Sequence, residues 1–202
     1  MIFPTNMSNI TSAYDTIRRG IRNIIGNQDI YTIGVSEINY KLNRSDVAEV
    51  CDPSSIRGIV DGDWDLKKTE YAESPILPSF QKRFNENELW ENTSYYDLRS
   101  DQPKEYFYSY DKLYSDIKER GYDTSKPIAV FIGREGDYIL NHGYHRLGIL
   151  KVLEIDQVPV RVKARHKIWE DKRKSILKDY RSGYKSDPNI DHPDVEFLVS
   201  NF

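Results

Sequence analysis

Between Leu113 and Tyr180 the spacing of apolar residues switches repeatedly between a helical and an alternating period, with glycines at the joints. That order restricts the fold more than any other feature of the chain. Leu113, Tyr114 and Ile117 share one helical face, which Gly121 ends. Ile128 to Ile132 reads as a strand, Gly133 to Gly136 as a turn and Asp137 to Asn141 as a second strand. Tyr144 to Leu153 follows as a largely apolar helix, Val158, Val160 and Val162 alternate as a last strand, and Ile168 to Tyr180 is a charged helix. The sequence thus predicts an α/β protein of mixed α+β type, with a small mixed sheet and packed helices. Pro159 has no N–H, so the last strand is expected to be an edge, or to pair only through its carbonyl side there.

The first half is less regular. Ser12 to Ile25 has helical spacing, and Tyr31, Ile33 and Val35 alternate as a short strand. From Gly58 to Tyr110 prolines interrupt every period, and Ser79 is expected to cap a short helix carrying Phe80 and Phe84. Trp64, Trp90, Tyr95, Tyr96 and Phe107 also lie in this stretch. Burying such rings is the main means by which the segment can offset its ordering entropy, so it should fold over something. The expected organisation is a helix and strand extension over 1–50, a core over 51–166 with an insertion at 62–108 covering the site, and a C-terminal helix and tail over 167–202.

Cys51 is the only cysteine, which excludes an intramolecular disulfide, a paired-cysteine zinc site and a two-cysteine redox motif. The chain has no long uncharged apolar run, and its start lacks the order of a signal peptide, so a cytoplasmic location and no membrane partner are expected. With 29 Lys and Arg against 32 Asp and Glu, any nucleic-acid contact must use a local patch.

The junction from Leu140 to Leu147 passes from an apolar strand through Gly143 directly into a helix. Such a junction aims backbone N–H groups and the positive helix end at one spot, which favours an anion such as phosphate. Asn141, His142, Gly143, Tyr144, His145 and Arg146 are the candidate binding residues, with His145 and Arg146 placed to complete the hydrogen bonding of a phosphate. A glycine joint with a surface-paired arginine fits the same residues. No Walker or Rossmann glycine motif is present. A second candidate is Asp61-Gly62-Asp63-Trp64-Asp65. There Asp63 and Asp65 would hold Mg²⁺ or supply a general base, and Trp64 would stack on a base or cap a pocket; a solvated turn with Trp64 in the core is the alternative. Arg161, Lys163 and Arg165 would share one face of the last strand and offer a stripe to a nucleic-acid backbone, or simply a solvated outer face.

The stretch from Leu113 to Val162 resembles the core of the ParB/sulfiredoxin superfamily. The likeness rests on Ile117-Lys118-Glu119-Arg120-Gly121-Tyr122, Pro127-Ile128-Ala129-Val130, Gly136-Asp137-Tyr138-Ile139, Gly143-Tyr144-His145-Arg146-Leu147 and Ile155-Asp156-Gln157-Val158-Pro159-Val160. The acidic turn and Trp90-Glu91-Asn92-Thr93 extend it toward a poorly characterised archaeal and viral branch, which would place a viral member in the host cytoplasm. In that superfamily the G-x-H-R turn heads a helix that binds nucleotide phosphates, which implies this role for Gly143, His145 and Arg146. The resemblance implies a phosphotransferase or nucleotide hydrolase using ATP, ADP or CTP, with Mg²⁺ and an unnamed small-molecule acceptor. A nuclease-like or nucleic-acid-binding member, or a catalytically inactive accessory protein, is the alternative. Tyr144 stands where sulfiredoxins carry their reactive cysteine, and His142 and Tyr144 depart from the D-G-H-H-R of the kinase-like members. The forty residues after Val162 leave little room for the further domains of partition proteins.

Overall fold

The structure, a computed structural model, describes residues 30–50 and 58–200. The expected helix over 12–25 and Cys51 lie outside the described residues. The chain order is β1 (Ile30–Gly34), β2 (Ile38–Lys41), α1 (Arg44–Val50), β3 (Ile59–Val60), β4 (Thr69–Glu70), α2 (Ile76–Phe84), α3 (Ser94–Leu98), α4 (Lys104–Arg120), β5 (Ile128–Ile132), β6 (Tyr138–His142), α5 (Tyr144–Val152), β7 (Gln157–His166), α6 (Lys167–Arg181) and α7 (Pro193–Ser200). Short 3-10 turns at Val35–Glu37, Trp64–Lys67, Tyr71–Glu73 and Trp90–Asn92 join several of them. The fold is mixed α/β. Its seven-stranded sheet runs β1-β7-β5-β6-β2-β4, with β3 pairing β7. Pairs β5–β6 and β2–β4 are antiparallel, whereas β2–β6, β5–β7 and β3–β7 are parallel. Among the described residues no helix is long and apolar enough to cross a membrane.

Strand alternation gives the sheet two unequal faces. Ile128, Val130, Ile132, Tyr138, Leu140, Val158, Val160 and Val162 belong to the larger core, together with buried residues of α2 to α7. Phe131, Ile139 and Ala164 point the other way, into a small cluster with Leu42, Val50 and Trp64. Both sides of β5 are therefore buried, which explains why it reads as a continuous apolar run.

Four points differ from or add to the sequence reading. Strand β7 is not an edge, for it lies between β1 and β5; Pro159 precedes Val160, the first residue paired with β5. Ser79 does not cap α2, which begins three residues earlier at Ile76; the buried Ser79 hydroxyl instead receives the N–H of Tyr95, tying α2 to α3. The helix bearing Leu113 starts at Lys104, immediately after Pro103, so α4 draws its first turns, Lys104 to Tyr110, from the irregular stretch. Helix α7 was missed, although Pro193 and Asp194 before Val195 form a helix-start signal.

Helices α3 and α4 pack with α2 into one aromatic block against α5. Phe84 stacks on Tyr114 at 4.1 Å between ring centres, and Phe80 meets Phe84 and Trp90 edge to face. Gly148 lets α2 approach α5 closely: a Cβ there would stand 3.0 Å from the Tyr71 hydroxyl and 3.1 Å from the Phe80 ring.

Candidate anion-binding site

The site is built where β6 turns into α5. Gly143 sits in the left-handed region at φ 106°, and a Cβ there would lie 2.7 Å from Cδ1 of Ile128, so conformation and space both demand glycine. With no side chain, Gly143 provides no cap. The first intrahelical bond runs from the N–H of Leu147 to the carbonyl of Gly143 at 2.8 Å, so the amides of His145 and Arg146 have no carbonyl within the helix.

Arg146 folds back over this turn. Its Nη2 lies 3.2 Å from the position a Gly143 Cβ would take, and its Nη1 donates to the Tyr122 hydroxyl at 2.9 Å and to the carbonyl of Lys126. A cation in the first turn opposes the helix dipole, and these partners are neutral oxygens that leave its charge uncompensated.

His145 enters the aromatic block. Its ring lies 4.4 Å from that of Tyr110 and stacks on Phe80 at 6.1 Å, and Nε2 is 2.6 Å from the Tyr95 hydroxyl, which in turn meets Tyr106 at 2.9 Å. Burial, with the charge of Arg99 and then His142 adding to it, pushes the imidazole down to about 4. Burial and the Tyr106 hydroxyl push Tyr95 up to about 12. Both groups are therefore neutral at pH 7, and His145 is a fixed aromatic anchor rather than a charge donor. Arg99, just past α3, is close enough to bear on both, and its Nε is buried with no hydrogen-bond partner.

The remaining binding candidates flank this point unequally. Asn141 is half-buried and His142 is exposed at the strand end. Tyr144 offers its backbone only, since its hydroxyl donates inward to the carbonyl of Leu42 at 3.2 Å.

The acidic turn lies elsewhere. Asp65 accepts the backbone N–H of Arg134 at 2.8 Å and its Nε and Nη2 at 3.0 and 2.8 Å, which fixes it against the β5–β6 turn. Gly143 is at the other end of β6, roughly 17 Å away for five residues of strand. The two candidate clusters are thus not brought together. Burial alone would raise the Asp65 carboxyl, but the hydrogen bonds from Arg134 overcome it and hold it below the usual range. Asp63, exposed, joins the same guanidinium at 2.8 Å. Trp64 is 1% exposed and lies edge-on to Phe131, so it has no free face for a base. Both aspartates serve an ion pair that pins the turn. Among the described residues no three His, Cys, Asp or Glu side chains group as metal ligands.

The basic stripe is also reduced. Val130 pairs with Val162 but Phe131 pairs with Ala164, leaving Lys163 as an extra residue with no partner on β5. Beyond this bulge the alternation is displaced by one. Arg161 and Lys163 remain exposed, while Arg165 turns inward and is 6% exposed. There it forms a two-pronged pair with the fully buried Asp194 of α7, at 2.6 and 3.0 Å, alongside Arg173 and the Trp169 N–H. Arg165 is therefore removed from the nucleic-acid candidates.

Arg99, Tyr95 and Tyr122 were missed in the sequence. No spacing links them to Gly143, and only the packing of α3 and α4 on α5 brings the first two near it. Fold and site together define a mixed α/β protein in which the Arg146 guanidinium lies over an uncapped helix start. No family model matches the chain, and no curated protein or solved structure matches it.

Proposed function

We propose that the protein binds the phosphate of a nucleotide at the start of α5, in keeping with the ParB/sulfiredoxin motif that Gly143-Tyr144-His145-Arg146 resembles. One observation carries this reading: Arg146 folds over the first turn of an uncapped helix and forms no ion pair with any described carboxylate, while Arg99, whose Nε has no hydrogen-bond partner, bears electrostatically on His145 of the same turn. A phosphate there would satisfy the amides of His145 and Arg146, compensate the guanidinium charge and complete the helix dipole. The Tyr95–His145 pair holds the helix start rigid.

In a phosphotransferase or nucleotide hydrolase of this kind, the same groups would stabilise charge gathering on the transferred phosphoryl group. Asp63 and Asp65 take no part in that reading, because Arg134 engages them at the far end of β6.

Calorimetric titration of the full chain with ADP, ATP and CTP, with and without Mg²⁺, tests the proposal. At least one nucleotide should bind, and Arg146→Ala and Arg99→Met should each weaken it by about tenfold or more, the worth of one charge-assisted contact. Absence of binding at millimolar nucleotide, or affinities unchanged in both variants, overturns it.

A further inference from the structure

The opposite end of α5 borders a second feature, separate from the phosphate reading. A cavity of about 250 Å³ opens between the β2–β4 edge, the turn at Tyr71–Glu73, α2 and the last turn of α5. Its apolar walls are Tyr40, Ala72 and Leu77; its polar groups are Lys151, Glu70 and Asn39. We infer that this cavity binds a small zwitterion of the α-amino-acid type, its carboxylate on Lys151, its ammonium toward Glu70 and its apolar side chain against Tyr40 and Leu77.

The charges make the argument. The Lys151 ammonium donates to the carbonyl of Val35 at 3.3 Å and to Oδ1 of Asn39 at 3.2 Å, both neutral oxygens. It has no ion pair with any described carboxylate. Burial also pushes its ammonium below the ordinary lysine range, a sign that its charge is poorly compensated here. Glu70 lines the same cavity and likewise has no ion pair among the described residues. The lining thus includes a half-buried cation and an exposed carboxylate that do not pair with one another, and a molecule bearing both charges complements both.

Size and sign exclude the alternatives. The volume falls below the 300 Å³ or so at which pockets for drug-sized ligands begin, which suits about ten non-hydrogen atoms and not a nucleotide. Glu70 disfavours phosphate and other multiply charged anions, and the Tyr40 and Leu77 walls reward an aliphatic body.

The experiment is ligand-observed NMR and calorimetry on the full chain, with L-leucine, 4-methylpentanoate and inorganic phosphate as probes. Leucine should bind in the micromolar to millimolar range, and Lys151→Met should weaken it by about tenfold or more. Glu70→Gln should weaken leucine but not 4-methylpentanoate, which has the carboxylate and aliphatic body without the ammonium. Phosphate should not displace leucine. Ala72→Phe, at an exposed wall position, should block the cavity in a folded protein should Lys151→Met fail to fold. Absence of leucine binding at about 10 mM, or equal binding by the native chain and both the Lys151 and Ala72 variants, overturns the inference. Nucleotide binding at Gly143 is read separately, so either proposal can fail alone.

Discussion

At the start of β6, Asp63, Asp65 and Asp137 meet Arg134 and Lys68 at 2.6 to 2.8 Å, whereas at its end Arg99 and Arg146 have only neutral neighbours or none. The same contrast recurs behind the first end, where Asp194 draws in Arg165, Arg173 and the Trp169 N–H. At one end charge is paired inside the protein, and removing a partner should destabilise it. At the other, cations are held ready, and removing one should cost binding rather than stability.

The severest challenge to this comparison is Asp194→Ala. It removes the buried carboxylate that Arg165, Arg173 and the Trp169 N–H share, and denaturant unfolding should show a loss of about 3–5 kcal/mol. A smaller loss would mean that Arg165 finds water or another partner. In native protein, burial works to raise the Asp194 carboxyl, but Arg165, Arg173 and the Trp169 N–H overcome it and hold it at about 2. Its folded value is therefore below its unfolded one, so the stabilisation is present at pH 7 and is lost as pH falls from about 4 toward 2. Asp65→Ala should produce the same kind of loss on a smaller scale, since Arg134 is partly exposed.

How much of this contrast could be read in the sequence differs between its two halves. Gly143, His145 and Arg146 stood out because they are consecutive and sit at a strand-to-helix joint, where local chemistry decides the geometry. Asp65 with Arg134, and Arg165 with Asp194, are pairings across 69 and 29 positions, which no periodicity encodes. Arg165 was misplaced because alternation assumes an unbroken strand, and one surplus residue at Lys163 reverses every side chain after it. The order of the second half from β5 to α6 was legible because each element carries its own period. The irregular stretch was not, since α2, α3 and the first turns of α4 are held by aromatic packing more than by a repeating pattern.

A pH titration sharpens the other end. The folded pKa of His145, about 4, is depressed below its unfolded value near 6.5, so the unfolded chain binds the proton more tightly. Stability should therefore fall as pH drops from about 6.5 to 4, by up to about 3 kcal/mol, and His145→Gln should remove that dependence. An NMR titration of the imidazole measures the pKa directly; a value above 6 would contradict the buried, neutral anchor.

Gly143→Ala should cost about 1–3 kcal/mol, from the strained φ and the approach to Ile128, and should also abolish nucleotide heat. The smallest effect is the most telling. Arg146→Ala and Arg99→Met should each change stability by less than about 1 kcal/mol, because neither leaves a carboxylate stranded. A thermal or denaturant scan showing a large loss in either would place these arginines with the structural pairs and erase the contrast.

The bulge in β7 gives that strand one position of slack. A chain shortened by deleting Lys163 would run on as regular strand, with Ala164, Arg165 and His166 facing as they now do, because the removed residue is the one without a counterpart on β5. Deleting a residue within Val158 to Val162 instead would turn apolar side chains toward solvent. Length variation among descendants of this chain should therefore collect at Lys163, and a gap elsewhere in β7 should mark a lineage that has rebuilt its sheet.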